Sequence, residues 1–153
     1  MTTTRWLDGA EQRSWRRFLE AQQRLTDRLD RELRATHDLG LDDYEVLVYL
    51  SESSDGRLRM SELADQLLHS RSRLTYRVDR LVRSGLVRRE QCPDDKRGTF
   101  AVLTDAGRAL LIDAAPTHVE GVRTHLVDTM SSAEFEQLGE IMERVAAKLR
   151  ADS

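Results

Sequence analysis

The feature that most constrains this chain is a change of apolar period at Ser84-Gly85. Upstream, Leu74, Val78, Leu81 and Val82 recur at helical spacing and predict a helix over about 70–84 with one narrow apolar stripe. Downstream, Leu86 to Cys92 and Thr99 to Leu103 are short and alternate as strands do. Between them lies the turn-forming run Pro93-Asp94-Asp95-Lys96-Arg97-Gly98. Gly85 suits the left-handed position that ends a helix, and Leu86 suits the apolar contact that follows. A helix must therefore give way, within two residues, to a β-hairpin with a basic tip.

The rest of the chain reads as helices. Trp15, Phe18, Leu19, Leu25, Leu29 and Leu33 predict one over residues 11–37, closed by Gly40. Asp42 with Glu45 reads as a capping box for a second helix that carries Val46, Leu47, Tyr49 and Leu50. Ser61 reads as the cap of a short third helix with Leu63, Ala64, Leu67 and Leu68 facing inward. Thr104 caps a later helix in which Pro116 predicts a kink or a break. Ser131 and Glu134 cap the last one, with a stripe of Phe135, Leu138, Ile141, Met142, Val145 and Leu149.

Helix, turn, helix, then hairpin is the order of a winged helix-turn-helix, here in a mainly α chain. The expected division is an N-terminal dimerisation helix over 1–40, a winged lobe over 41–104 with its wing at about 86–103, and C-terminal dimerisation helices over 105–153. The terminal helices carry apolar stripes that one small lobe would struggle to cover.

Charge agrees with this division. The net charge is -3, which alone argues against nucleic acid. Yet Arg57 to Arg97 carries 11 basic and 6 acidic residues, and the remainder is correspondingly acidic. From His69 to Arg89 there are seven arginines and one acid, Asp79. At about 100° per residue the predicted stripe turns Ser72, Arg73, Tyr76, Arg80 and Arg83 away from the core. Arginine is suited to a duplex because its planar fork grips phosphate, or guanine O6 and N7, through two bonds. A hairpin-tip arginine can enter a narrow minor groove, where the negative potential is strong. Asp95 is placed to hold that tip by pairing with a neighbouring arginine.

At this point the chain resembles the MarR family of transcription regulators. The resemblance rests on Met60-Ser61-Glu62-Leu63-Ala64, Ser72-Arg73-Leu74-Thr75, Val78-Asp79-Arg80-Leu81 and Ser84-Gly85-Leu86-Val87-Arg88-Arg89. It continues through Asp95-Lys96-Arg97 and Val102-Leu103-Thr104-Asp105-Ala106-Gly107. It implies a homodimer whose winged lobes face one duplex, and a pseudo-palindromic site with half-sites about one helical turn apart. It implies DNA contacts from Arg71, Ser72, Arg73, Tyr76 and Arg80 on the recognition helix and from Arg97 on the wing. Ser70, Thr75, Arg77 and Lys96 complete the candidate set. It further implies repression, or sometimes activation, by occupying a promoter, with release by a small aromatic or anionic effector and with Trp15, Phe18 and Tyr44 as candidate pocket linings.

Other chemistries have little to stand on. Cys92 is the one cysteine, so no internal disulfide forms, and Arg88 and Arg89 beside it are the sole hint of redox sensing. His118 and His125 lie about 10 Å apart along a helix, too far for one ion, and read as surface residues. No nucleophile elbow and no phosphate-binding glycine loop is present, so neither an enzyme nor a cofactor is expected. No run of about 18 apolar residues predicts a membrane span, and a cytoplasmic location is the default. The alternative to a DNA-binding regulator is a winged-helix protein–protein module, against which the dense arginine face argues.

Overall fold

The structure is a computed structural model that describes residues 3–152. Its order is α1 (Gly9–His37), α2 (Leu41–Glu52), β1 (Arg57–Arg59), α3 (Met60–Leu67), α4 (Arg71–Arg83), β2 (Val87–Cys92), β3 (Asp95–Leu103), α5 (Asp105–His125) and α6 (Ser132–Ala151). A single 3-10 turn, Val127–Thr129, joins the last two helices. Two compact units result, one from Leu29–His118 and one from the residues outside that span. Helices α1 and α5 each contribute residues to both units. No described helix is long and apolar enough to cross a membrane.

In the Leu29–His118 unit, Leu33, Val46, Leu47, Leu50, Leu63, Leu74, Val78 and Val87 are fully buried. They come from α1 to α4 and β2, so one core holds the helix-turn-helix and the root of the wing together. The sheet has three antiparallel strands in the order β1-β3-β2, where the sequence reading has only the hairpin. The extra strand pairs Arg57 with Val102, Leu58 with Ala101 and Arg59 with Phe100. Three residues are too few for alternation to reveal a strand.

Three caps differ from expectation. Asp42 does not cap α2. Gly40 occupies the cap position without a side-chain bond, and Oδ1 of Asp30, on α1, accepts the Leu41 N–H at 2.9 Å. Burial opposes ionisation of Asp30, but the bonds from Arg34 and Leu41 outweigh it and hold its carboxyl below the usual carboxylate range. Helix α3 starts after Arg59 rather than at Ser61, and Glu62 reaches back to accept the Arg59 N–H at 3.1 Å. Leu68 is 92% exposed instead of inward, because it is the left-handed residue (φ 54°) that ends α3.

Other signals hold. The Gly85 N–H bonds the Val82 carbonyl and the Leu86 N–H bonds the Leu81 carbonyl, both at 3.0 Å, with Gly85 at φ 75°. This is the Schellman closure that satisfies the last carbonyls of α4. Thr104 caps α5 by accepting the Gly107 N–H at 3.0 Å, and its hydroxyl donates to the Gly85 carbonyl at 2.7 Å. Pro116 lies within α5 and does not break it, so the helix is assigned continuously from Asp105 to His125. In the other unit, the Ser131–Glu134 capping box opens α6, which buries none of its residues. Phe135, Ile141, Met142 and Val145 remain exposed there.

Gly107 explains why the start of α5 admits no side chain. A β-carbon there would fall onto the Leu86 carbonyl oxygen and within 2.8 Å of Leu103 Cδ1. The Leu86 carbonyl is backbone and cannot retreat without disturbing the α4–β2 turn. We expect Gly107→Ala to lower the unfolding free energy by about 2 kcal/mol, the scale of an overpacked site, as read from urea denaturation.

Candidate nucleic-acid interface

The recognition helix is built outward from its cap. Ser70 Oγ accepts the Arg73 N–H at 3.2 Å, which satisfies one of the free donors of the first turn. Leu74, Val78 and Leu81 are buried beneath α4. Val82, expected on the same stripe, is 37% exposed, since it sits one step around the helix from Leu81. The opposite face presents Ser72, Arg73, Thr75 and Tyr76, with Tyr76 62% exposed. A phenol left in solvent beside arginines and hydroxyls suits a polar, anionic surface better than a protein core.

The arginines of α4 divide into two sets. Arg77 points toward α2, where its guanidinium bonds Asp42 and, through Nη1, Asp43 Oδ1 at 3.3 Å. Asp43 is the one buried charged residue of the described core. It also faces Arg80 Nη2 at 3.5 Å, while Asp42 meets Arg73 Nη2 at 3.3 Å. Two adjacent carboxylates at the start of α2 thus hold three consecutive outward turns of α4. Arg77, a candidate DNA contact, is only 17% exposed, and its guanidinium is engaged by both aspartates. Arg73 and Arg80 keep 56% and 41% of their side chains exposed and can serve both the clamp and a ligand.

The wing is tighter than its turn-rich sequence suggests. The connection is Pro93-Asp94, because Cys92 already pairs with Asp95 across β2 and β3. The register then slips between Gln91 and Cys92, which leaves Lys96, Arg97 and Gly98 as the bulged tip. Asp95 does hold the tip, but through the Arg97 backbone, whose N–H donates to Oδ1 at 2.9 Å. The Gln91 side-chain amide donates to the Lys96 carbonyl at 3.2 Å. With their backbones fixed, the Lys96 and Arg97 side chains are exposed.

The remaining candidates fall in different units. Trp15 stacks on Phe18 at 5.9 Å between centroids, both nearly half exposed, in the unit outside Leu29–His118. Tyr44 is buried in the lobe, 4.7 Å from the His118 ring. His118 is therefore not a surface residue. Burial lowers its pKa, and its Nδ1 is left without a hydrogen-bond partner. Cys92 is buried beneath Gly98, while Arg88 and Arg89 are engaged by Glu90 and Asp79. No group of three or more metal-ligating side chains occurs among the described residues.

Sequence reasoning missed two contributors. Asp42 looked like a helix cap and Asp43 carried no signal, and only their tertiary placement reveals the clamp. Arg57 and Arg59 had no element assigned to them, yet on β1 they stack over Phe100, with guanidinium carbons 4.5 and 5.6 Å from its centroid. The basic count from Arg57 onward was the available signal.

Known proteins match this arrangement. A model of the MarR family matches residues 37–98. The chain is 32% identical over 109 residues to the HTH-type transcriptional regulator MhqR of Bacillus subtilis, spanning 71% of this chain and 73% of that one. The crystal structure of Sco3205, a MarR family transcriptional regulator from Streptomyces coelicolor in complex with DNA, superposes with TM-score 0.92 at 46% identity, over 95% of this chain and 92% of that one. AbsC, a MarR family transcriptional regulator of the same organism, gives 0.91 at 42% identity, over 97% and 99%.

Two measurements check the clamp. Asp43→Ala removes a buried carboxylate from Arg77 and Arg80 while Asp42 still holds Arg77, so we expect a loss of about 2–3 kcal/mol in chemical denaturation. His69, at the foot of α4, has its pKa lowered from 6.5 by burial, then by Arg73 and Arg77. Its neutral form therefore contributes stability that is complete above about pH 6.5 and is lost as pH falls toward the lower folded pKa. His69→Gln should flatten the fall in unfolding free energy between pH 7.5 and 5 relative to the parent protein, and an unchanged profile would refute that assignment.

Proposed function

The chain belongs to the MarR family of transcriptional regulators, and on that premise we propose that it is a homodimeric, sequence-specific repressor that binds a pseudo-palindromic operator. The observation that carries this reading is the exposed face of α4. Ser72, Arg73, Thr75 and Tyr76 stand clear of the core on a helix whose orientation is clamped by Asp42 and Asp43. Beside that face, Lys96 and Arg97 project from a tip whose backbone is tied down. A rigid helix reads base edges in the major groove, and a basic wing tracks the minor groove or the backbone.

Dimerisation is supported by the apolar stripe of α6, where Phe135, Ile141, Met142 and Val145 lie uncovered on a helix with no buried residue. A second copy would cover such a face, and two-fold symmetry would place two recognition helices on successive turns of one duplex. Occupation of a promoter by this dimer blocks transcription in the cytoplasm. For a small aromatic or anionic effector, the lobe offers the Tyr44–His118 contact with its unmet ring nitrogen. Trp15 and Phe18 are the aromatic candidates of the other unit. Such an effector relieves repression only by binding one conformation of the dimer better than another. The reading needs neither catalysis nor a cofactor.

The test is binding of the purified protein to random duplex DNA at several salt concentrations, with sequencing of the bound fraction. We expect a pseudo-palindrome to be enriched and affinity to fall steeply with salt. Arg73→Ala should then cost about 1–3 kcal/mol on the selected operator and relax its sequence preference. Failure to bind any duplex at low salt would favour a protein–protein module instead.

A further inference from the structure

Most arginines around the recognition helix are already spoken for. Arg57, Arg73, Arg77, Arg80, Arg88 and Arg89 each lie within ion-pair distance of an aspartate or glutamate. Arg59, Arg71 and Arg97 have no such carboxylate among the described residues. These three arise from separate elements, namely β1, the first turn of α4 and the wing tip. All three nevertheless line one cleft of about 350 Å³ between the wing and the starts of α3 and α4.

The carboxylate in that cleft, Asp95, is turned to other use. Its Oδ1 accepts the Arg97 N–H at 2.9 Å. The cleft thus gathers three cations against one anion, and the unneutralised charge is concentrated where α4 begins. The positive end of that helix's dipole adds to the same field. Arg59 is steadied from behind by the Phe100 ring, 5.6 Å from its guanidinium carbon, which leaves its N–H groups available to a ligand. Guanidinium groups from three directions, outnumbering the single carboxylate, match the oxygens of a tetrahedral oxyanion.

We propose that the cleft between the wing and the N-terminus of α4 is a phosphate-binding site, anchored by Arg59 together with Arg71 and Arg97. Its occupant is a phosphate group, supplied by the backbone of the bound duplex or by a free phosphate. With a duplex bound, Arg59 extends the contact from the base-reading helix onto the strand alongside the wing. This rests on the DNA-binding reading, which Arg59 itself does not enter.

Two arms test it and separate the sources. In the first, Arg59→Ala and the parent protein are compared on the selected operator and on random duplex across a salt series. A backbone phosphate predicts that the variant loses affinity by a similar factor on every sequence and that its salt slope falls by about 1. Arg59→Lys should restore most of the slope by keeping the charge. In the second, inorganic phosphate is titrated calorimetrically into each protein without DNA. A free-phosphate site predicts binding to the parent protein that Arg59→Ala abolishes while the DNA salt slope is unchanged. Thermal melts by circular dichroism establish that the variants fold, and Arg97→Ala serves both arms if Arg59→Ala does not. An unchanged salt slope together with no difference in phosphate binding overturns the proposal. If the parent protein binds no duplex, the DNA reading falls, and the phosphate titration still decides the cleft.

Discussion

The contact on which the interface depends is the pair of carboxylates at the start of α2. Apolar burial of Leu74, Val78 and Leu81 keeps α4 against the lobe. Arg77, held by Asp42 and Asp43, adds a directional contact between α2 and α4. The clamp is itself anchored, because Asp30 on α1 caps the helix from which the two aspartates project. Buried ion pairs contribute little net stability, so the value of this one lies in geometry.

The same pairing organises the electrostatics. Arginine density around α4 looks uniform along the chain, yet the folded lobe neutralises some of these charges and leaves others open. Arg77 is spent on Asp42 and Asp43, and Arg89 on Asp79. Arg73 and Arg80 are shared, since each touches the clamp with a partly exposed side chain. Lys96 and Arg97 stay open because Asp95 and Gln91 bond the wing backbone instead of the side chains. A regulator needs this economy. Fully open charge would raise affinity for every duplex alike, whereas directed charge favours a bound register.

Much of the fold was legible because its signals are local. The Schellman turn at Gly85, the caps at Ser70, Thr104 and Ser131, and the 3.6-residue stripe of α4 each depend on residues within a few positions of one another. The misreadings have equally physical causes. Asp42 resembled a cap because helix starts favour acids, but the capping oxygen comes from Asp30, eleven residues away. β1 was invisible because three residues carry no period and its partner, β3, lies some forty positions on. Leu68 was assigned inward by hydrophobicity alone, although the chain needs a left-handed residue there to turn into α4.

The sequence by itself determined the order of elements, the basic middle segment and the face of α4 opposite its stripe. Those follow from side-chain period and backbone propensity, which act over one or two turns. Tertiary structure alone decided which arginines are paired with carboxylates and which are left open. Ser72 and Tyr76 could be read as outward from the helix period, but Arg77 was withdrawn by carboxylates on another helix. Arg59, Arg71 and Arg97 were gathered from three elements into one cleft. Charge acts through space and not along the chain, so the fate of each guanidinium depends on what folding places beside it.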